Sequence, residues 1–253
     1  MKTIFITGAA NGIGLATAKH FAGLGWFVGL YDINSDGLQS LLDSGEFPHA
    51  CGKHCDVTQR NSIKEALAHF GSHTNGRLDV LVNNAGVLSS GAFEDIKPEA
   101  HDLIIDINVK GLTTVAQEGF PLLKQTPGST LVNLCSASSV HSLPLLAVYS
   151  ASKFYVNGLT EALNIEWAQH DIRVTAVKPP IVNTSMGHAI DQRITQRMAV
   201  DVEPEQIAEA IEMAIKGKRV SYLLGASAKL WGVIDKLLPE SGRRRLVRYL
   251  SNH

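Results

Sequence analysis

The fold is decided near the start of the chain, by Thr3-Ile4-Phe5-Ile6-Thr7-Gly8-Ala9-Ala10-Asn11-Gly12-Ile13-Gly14. Thr3 to Thr7 is a short β-branched and aromatic run, typical of a strand inside a parallel sheet. The glycine-rich turn that follows leads into a predicted helix from Leu15 to Leu24 and a predicted strand from Phe27 to Tyr31. Strand, turn, helix and strand in this order predict a βαβ unit.

The three glycines of the turn, Gly8, Gly12 and Gly14, predict a dinucleotide site. Glycine lets the backbone pass close to a pyrophosphate, and the free amides at the helix N-terminus stabilise its charge. A tight turn without a ligand is the alternative for the glycine spacing alone. The surrounding βαβ unit favours the dinucleotide.

Asp32 ends the second strand, roughly twenty residues beyond the turn, where a carboxylate can accept hydrogen bonds from both hydroxyls of an adenosine ribose. The same charge repels a 2′-phosphate. Ile33 and Asn34 follow, although NADP sites normally supply a basic side chain here. We therefore expect NAD as the cofactor. A simple turn formed by Asp32 with Asn34 is the alternative.

Apolar runs alternate with helical stretches along the rest of the chain, with further strands predicted at Val80–Val82, Thr130–Leu134 and Val174–Val177. This alternation predicts an α/β fold, a Rossmann-like doubly wound parallel sheet with helices on both faces. We expect one domain over residues 1–253.

Two later segments have their own signals. A long helix is predicted to begin near Pro98 and to end among Pro121, Pro127 and Gly128. Residues 186–201 are the least regular part of the chain. They lie where a loop over the substrate is expected, although a plain surface excursion would give the same pattern.

Composition limits the possible classes of function. The 253 residues are 45% hydrophobic, enough for one substantial core. With 23 basic and 24 acidic residues, the overall charge does not favour a nucleic-acid partner. The odd count of three cysteines is typical of free thiols in a reducing compartment, so we expect a cytoplasmic protein. The apolar run at the start is too short for a signal peptide, and no stretch reaches the roughly 18 to 20 apolar residues of a membrane span.

The segment Cys51-Gly52-Lys53-His54-Cys55, with His49 before it, carries thiol and imidazole groups, which are zinc ligands. It has no second ligand pair at the spacing of a structural zinc site. It is better explained as a strand that arrives at Asp56. We expect no metal at this segment.

The run Tyr149-Ser150-Ala151-Ser152-Lys153 places a phenol and an ammonium group one helical turn apart on the same helix face. A tyrosine, with an ordinary pKa of about 10, acts as a base at neutral pH only if a cation stabilises its phenolate. Lys153 is placed to supply that cation. Alone, such a pair is more often only a helix surface.

Together these motifs resemble, in order and over essentially the whole chain, those of the short-chain dehydrogenase/reductase family. Asp56-Val57 is similar to the family's adenine-contacting pair, and Asn83-Asn84-Ala85-Gly86 to its sheet-stabilising motif. The family tetrad is matched by Asn108, Ser136, Tyr149 and Lys153. The cofactor-binding residues that the resemblance implies are Gly8, Asn11, Gly12, Ile13, Gly14, Asp32, Asp56, Val57, Asn84, Ala85, Gly86, Tyr149, Lys153, Pro179, Val182 and Thr184.

The chain departs from the family at Lys178-Pro179-Pro180, where the family usually has Pro-Gly. Pro180 fixes φ and removes an amide donor, so we expect a different backbone path toward the nicotinamide. Thr184 remains placed to hold the carboxamide.

The resemblance implies that Tyr149 exchanges a proton with the substrate oxygen while a hydride moves between the substrate carbon and the nicotinamide. Ser136 would position that oxygen, with Ser138 and Ser139 near enough to replace it. Lys153 would bind the nicotinamide ribose and lower the pKa of Tyr149. Asn108 would interrupt its helix and hold a water that relays protons.

Three other functions stay open. An NADP-dependent carbonyl or 3-oxoacyl reductase is disfavoured by Asp32. A non-catalytic dinucleotide sensor or scaffold is disfavoured by the intact tetrad. A serine hydrolase is disfavoured because no nucleophile-elbow glycines surround Ser136.

The substrate and partners are less sharply indicated. The residues expected to line the pocket are mostly apolar, namely Val140, His141, Leu143, Leu145, Leu146 and the range Met186 to Ile190. They predict a hydrophobic ketone or secondary alcohol, while a sugar or a small hydroxy acid stays open.

The basic amphipathic extension of residues 229–253 could contact its own domain, another subunit or an anionic membrane surface. The resemblance implies a homodimer or homotetramer built from helices near residues 100–125 and 149–170.

Overall fold

The structure, a computed structural model, describes residues 1–198, 200, 202–225 and 238–251. The strands are β1 (Thr3–Thr7), β2 (Phe27–Asp32), β3 (Ala50–His54), β4 (Val80–Asn83), β5 (Thr130–Leu134), β6 (Arg173–Lys178) and β7 (Ser221–Leu223). They form one sheet in the order β3-β2-β1-β4-β5-β6-β7, and every pairing in it is parallel.

The connections between the strands are helical. The α-helices are α1 (Gly12–Gly23), α2 (Ser35–Asp43), α3 (Arg60–Thr74), α4 (Pro98–Ile105), α5 (Leu112–Lys124), α6 (Ala147–Glu166), α7 (Ser185–His188), α8 (Gln192–Thr195), α9 (Pro204–Lys216) and α10 (Glu240–Ser251). Short 3-10 turns lie at Phe93–Asp95, Ala137–Ser139 and Trp167–His170.

The sheet has an apolar layer on each face, because successive side chains of a strand point to opposite sides. In β1, Ile4 and Ile6 pack into the core beneath α1 and α9, whereas Phe5 packs into the core beneath α3 and α5. Both faces are therefore covered by helices. The predicted α/β doubly wound sheet is confirmed.

The strand order reverses between β1 and β4, since β2 and β3 lie to one side of β1 and β4 to β7 lie to the other. The connections leave β1 and β4 in opposite directions at this point. This opens a crevice at the carboxyl ends of the strands, where ligands of doubly wound sheets bind.

The long helix predicted from Pro98 has two α-helical parts, joined by a π-helical turn over Asp106–Gly111. Pro121 lies inside α5 and does not end it, since the helix continues to Lys124 although Pro121 cannot donate the usual amide bond to the carbonyl of Gln117. The irregular stretch of residues 186–201 contains most of α7 and all of α8.

The C-terminal extension is partly described. Residues 229–237 lie outside the described residues, whereas α10 packs against α8. Among the helices that the structure describes, none is both long and apolar enough to cross a membrane.

Candidate active site

The turn after β1 has the backbone that the glycine spacing predicts. Gly8 and Gly12 have φ angles of +66° and +52°, in the left-handed region that favours glycine. A Cβ built on Gly14 would lie 1.9 Å from the carbonyl oxygen of Gly8, so only glycine lets the turn and α1 approach so closely. The N-terminus of α1 consequently opens directly into the crevice.

Asn84 holds the adjacent strand end in place. Its Nδ2 donates hydrogen bonds to the carbonyl oxygens of Thr7 (2.9 Å) and Gly8 (3.0 Å). The Thr7 hydroxyl in turn accepts hydrogen bonds from the amides of Asn84 and Ala85, each at 3.0 Å. These four bonds join the ends of β1 and β4, so the motif builds the floor of the crevice.

Asp32 is buried at the end of β2 and borders the crevice. Its Oδ2 accepts a hydrogen bond from the amide of Ala10 and its Oδ1 accepts one from the amide of Asn34, both at 2.9 Å. The turn with Asn34 therefore exists and orients the carboxylate. Each carboxylate oxygen keeps a further acceptor site for a ribose hydroxyl.

Ser136 and Tyr149 meet on the opposite wall. Ser136 follows β5 and Tyr149 lies in the first turn of α6, and the Ser136 side chain acts on the Tyr149 phenol as a polar partner that lowers its pKa. The neighbouring hydroxyls differ. Ser139 Oγ donates to the carbonyl oxygen of Ser136 at 2.7 Å, whereas the buried Ser138 Oγ lacks a hydrogen-bond partner among the described residues. The geometry thus favours Ser136 as the partner of Tyr149.

Lys153 lies one turn further along α6, fully surrounded by protein. Its Nζ donates to the carbonyl oxygen of Leu134 at 2.9 Å and lies 5.6 Å from the centre of the Tyr149 ring. Burial lowers the pKa of Lys153. Burial also raises the pKa of Tyr149 to about 12, although the Ser136 side chain opposes that change. The lowering of the Tyr149 pKa that was expected from Lys153 is therefore not seen, because burial disfavours the charged form of each group.

Asn108 is fully buried within the π-helical turn. Its Oδ1 accepts a hydrogen bond from the amide of Val87 (2.9 Å), and its Nδ2 donates to the carbonyl oxygen of Val87 (2.8 Å) and to Ser152 Oγ (3.2 Å). The predicted interruption of the helix at Asn108 is therefore present. Its side chain, however, supports the loop after β4 and the helix that carries Lys153.

The crevice is a cavity of about 670 Å³ that joins these groups. The predicted residues in its wall are Gly8, Asn11, Gly12, Ile13, Asp32, Asp56, Val57, Asn84, Ala85, Gly86, Ser136, Tyr149, Lys153, Pro179, Val182 and Thr184. Among the described residues, the wall does not include Gly14 or Asn108. Gly14 is needed for close packing against Gly8, and Asn108 acts from behind the wall.

The expected substrate residues are also largely in the wall. Val140, His141, Leu143 and Leu146 line the cavity, as do Met186, Gly187 and Ile190. Leu145 was expected there but lies in the apolar cluster with Ile181 and Ile194. Its φ of +66° turns the chain just before α6, and its carbonyl oxygen accepts a hydrogen bond from Gly91 at 2.9 Å.

The segment with Pro180 keeps its place beside the cavity. Thr184 Oγ1 accepts a hydrogen bond from the amide of Gly187 at 3.1 Å and so caps α7. A Cβ built on Gly12 would lie 3.4 Å from the Thr184 methyl group. Despite Pro180, this segment therefore reaches the glycine turn.

Among the cavity-lining residues that sequence reasoning did not single out are Val247 and Arg197, the second of them within the predicted substrate loop of residues 186–201. Val247 of α10 is buried, and Arg197 after α8 places its guanidinium 4.5 Å from the centre of the Tyr249 ring. The apolar spacing of α10 was the available signal. It showed an apolar face but not what that face covers.

A family model described as short chain dehydrogenase matches residues 2–195. The chain belongs to the short-chain dehydrogenase family. It is accordingly an oxidoreductase that acts on alcohol or ketone groups with a nicotinamide dinucleotide. The glycine turn, the carboxylate at the end of β2 and the Ser136–Tyr149 pair fit this cofactor class, because the cavity joins all three.

Individual relatives support the same family. The oxidoreductase UcpA of Salmonella typhimurium is 34% identical over 95% of this chain and 96% of its own. A 3alpha-hydroxysteroid dehydrogenase of Mediterraneibacter gnavus is 30% identical over 88% and 93% of the two chains. The crystal structure of a 3-ketoacyl-(acyl-carrier-protein) reductase from Brucella melitensis complexed with NADH is similar, with a TM-score of 0.80 and 28% identity over 88% of this chain and 96% of the other.

Proposed function

We propose that the protein is an NAD-dependent dehydrogenase and ketone reductase for a hydrophobic secondary alcohol or ketone, with Tyr149 as the general acid and base. One observation carries this proposal. The Ser136–Tyr149 pair, the buried Lys153 and the carboxylate of Asp32 share a single cavity. The cofactor would bind across the carboxyl ends of β1 and β4 and would supply the nicotinamide that gains or loses the hydride.

Each wall residue then has a distinct part. In the reducing direction the neutral Tyr149 hydroxyl donates its proton to the substrate oxygen, while the Ser136 hydroxyl holds that oxygen in place. In the oxidising direction the same tyrosine accepts the proton. Lys153, one helical turn away, would hydrogen-bond the nicotinamide ribose. Asn108 supports the Val87 loop, and its role with a relay water remains a prediction.

The preference for NAD is supported by the position of Asp32. Its buried carboxylate borders the cavity beside Ile33 and carries no basic neighbour at position 33 or 34. A 2′-phosphate would meet this negative charge in a partly dry site, where repulsion is strong. An NADP-dependent carbonyl or 3-oxoacyl reductase is the alternative within the family.

The hydrophobic substrate is supported by the wall on the far side of Tyr149. Leu88, Leu143, Met186, Met198 and Val247 all contribute apolar surface to it. Polar contacts in the same cavity come from His141, Arg197 and the Ser138 hydroxyl, which lacks a hydrogen-bond partner among the described residues. Such a wall favours a largely apolar molecule that carries few hydrogen-bonding groups.

The experiment is an assay of NADH formation with NAD and a panel of steroid alcohols, hydroxyacyl thioesters, polyols and small secondary alcohols. We expect Tyr149→Phe to lose turnover by about 10² to 10⁴-fold, because it keeps the ring and deletes the proton donor. Tyr155→Phe is the matched control, since Tyr155 lies on the same helix and its hydroxyl instead contacts Thr113 Oγ1 at 2.9 Å. Its turnover should match the wild type.

Equal turnover in Tyr149→Phe and wild type would overturn the assignment of the proton donor. If the whole panel gave no NADH while NADH still bound, the result would favour a non-catalytic dinucleotide sensor. Running the reverse reaction with NADPH and ketones separates that outcome from an NADP-dependent reductase.

We also infer a homo-oligomer in the cytoplasm. Large apolar side chains remain exposed on α4 and α6, among them Leu103, Phe154 and Ile165. They support an interface through these helices. The three cysteines are all free, in keeping with a reducing compartment. Light scattering of the purified protein tests the assembly, and a monomer would contradict it.

Contact of the C-terminal extension with a membrane stays a prediction. Within that extension, α10 packs against α8 and Val247 is buried.

A further inference from the structure

A second cluster of reactive side chains lies between the edge strand β3 and helix α3. Cys51, His69 and His73 each offer one ligand atom there, and these atoms lie within 4.8 Å of one another. The two histidines are one helical turn apart on α3, and Cys51 faces them from the sheet. Among the described residues that line the active-site cavity, none of these three is present.

The cluster differs from the group that the sequence spacing brought to attention. His49, His54 and Cys55 were considered with Cys51 and lack a second ligand pair. The fold replaces them with two histidines from a different element. Those histidines, His69 and His73, lie 18 and 22 residues beyond Cys51, so spacing within the β3 segment could not reveal them.

The hydrogen bonding of His73 leaves one of its ring nitrogens available to bind a cation. Its Nδ1 lies 2.9 Å from the carbonyl oxygen of His69. A carbonyl oxygen only accepts, so Nδ1 carries the proton of the neutral ring and Nε2 keeps a free lone pair. A backbone carbonyl that holds one ring nitrogen is the arrangement that commonly orients metal-bound histidines.

Tyr31 connects the other two members. Its buried hydroxyl is 2.9 Å from His69 Nδ1 and 3.5 Å from Cys51 Sγ. With Cys51 as a thiolate, the phenol donates to sulfur and accepts the Nδ1 proton of His69. The Tyr31 hydroxyl then makes one hydrogen bond as a donor and one as an acceptor. His69, like His73, keeps one unprotonated ring nitrogen.

The charges around the cluster allow a cation. A bound divalent cation would replace the thiol proton of Cys51, and imidazole rings bind such a cation in their neutral form. Lys53 is the nearby positive charge, and it forms an ion pair of 3.1 Å with Glu65. His73 is exposed, which opens a path from solvent.

We propose that Cys51, His69 and His73 form a binding site for a zinc-like divalent cation, with solvent as the fourth ligand. One thiolate and two imidazoles favour zinc or cobalt over magnesium or calcium. Zinc–ligand bond lengths place neighbouring ligand atoms about 3.3 to 3.6 Å apart. Because the three ligand atoms already lie within 4.8 Å of one another, closure around the ion needs movements of about 1 Å among these side chains.

A bound cation would tie β3 to α3 at the adenosine end of the sheet. His54 at the end of β3 is in register with Asp32, and Tyr31 directly precedes that carboxylate. The site thus has a structural consequence, because an ion that binds only the folded chain stabilises it.

The experiment is a titration of the purified, metal-free full chain with Co²⁺, followed by absorbance and thermal melting. We expect one equivalent to bind, a thiolate-to-cobalt charge-transfer band in the near ultraviolet, and a higher melting temperature. Cys51→Ala should lose the band. His73→Gln should weaken binding by at least about tenfold. His54→Gln is the matched control, an exposed histidine on the same strand that should bind as the wild type does.

Two results would overturn the proposal. The first is a wild-type chain that binds no stoichiometric cobalt or shows no thiolate band. The second is equal affinity in wild type and His73→Gln, or equal weakening in His73→Gln and His54→Gln, which would identify scattered surface histidines as the ligands. Because His73 is exposed, its variant should melt like the wild type in EDTA, so a folding defect does not obscure the comparison.

Discussion

The two sides of the active-site cavity are held together differently. The cofactor side, at the ends of β1, β2 and β4, is joined by directional hydrogen bonds such as those from Asn84 to Thr7 and from Ala10 to Asp32. The side that we propose for the substrate is formed by α7, α8 and α10. The helices α7 and α8 have only four residues each, and apolar packing around Ile194 is a main part of what holds this side.

This difference determines what each side tolerates. Hydrogen bonds and close backbone contacts need particular residues at particular places, so the cofactor side should fail sharply when changed. Apolar contacts are non-directional and roughly proportional to buried area, so the substrate side should respond gradually. Substitutions on the two sides should therefore differ in size and in which ligand they affect.

The largest effect is expected from Gly14→Ala on the cofactor side. The added Cβ would lie 1.9 Å from the backbone oxygen of Gly8, which cannot move away as a flexible side chain could. We expect the free energy of unfolding to fall by at least about 2 kcal/mol, with loss of NADH binding. Urea unfolding and NADH fluorescence measure the two quantities.

Gly23→Ala on the same helix is the control for that change. A Cβ at Gly23 would meet no atom within 4 Å, so this substitution should raise stability by about 0.5 kcal/mol. Equal effects of the two substitutions would show that the close approach at Gly14 does not matter.

Asp32→Ala should have the next largest effect. Removing the carboxylate deletes the acceptor for the ribose and the charge that opposes a 2′-phosphate. We expect the ratio of kcat/KM with NAD to that with NADP to fall at least about tenfold, which corresponds to about 1.4 kcal/mol. Asp36→Ala, an exposed acidic residue on α2, should leave the ratio unchanged. An unchanged ratio in Asp32→Ala would refute its discriminating role.

Val247→Ala tests the substrate side and should have a smaller effect. The change removes two methyl groups from the cavity wall, only part of whose surface faces the cavity, so we expect a loss of about 1 kcal/mol of apolar contact. We expect a several-fold rise in KM for the substrate found in the panel and no change in KM for NAD. The exposed Met213, changed to Ala, is the control. A shift in KM for NAD instead would place α10 over the cofactor.

The smallest effect concerns alkaline pH and the cofactor side. Burial raises the pKa values of Tyr31 and Cys51, and burial with Asp56 and Asp32 raises that of Cys55 to about 12. Above about pH 9 the unfolded chain therefore loses these protons first, and the free energy of unfolding falls as pH rises.

Unfolding in EDTA at several pH values from about 8 to 10.5 measures this decline. Tyr31→Phe should have a shallower slope than wild type at the upper end of the range, because the buried phenol no longer contributes. Identical slopes would show that Tyr31 is not a source of the alkaline instability.

The sequence predicted the sheet and most of the cavity wall for a physical reason. The strand Thr3–Thr7 and the turn after it could be predicted from their own residues, because φ angles and strand ends depend on adjacent residues. The same holds for Asp32 and the Tyr149–Lys153 pair. Gly14 and Asn108 were selected by the same motifs, but the sequence did not reveal that both act from behind the wall. That distinction depends on which neighbours each meets across the fold.

The sequence by itself determined the order of strand, helix and strand in the first βαβ unit, the glycine turn, the acidic residue at the end of β2 and the helical pair of Tyr149 with Lys153. Only the tertiary structure decided that Val247 and Arg197 line the same cavity and that His69 and His73 face Cys51. Local backbone geometry depends on neighbouring residues in the sequence. Contacts between distant elements have no fixed spacing in the sequence, because the path of the chain around the whole sheet determines which side chains meet.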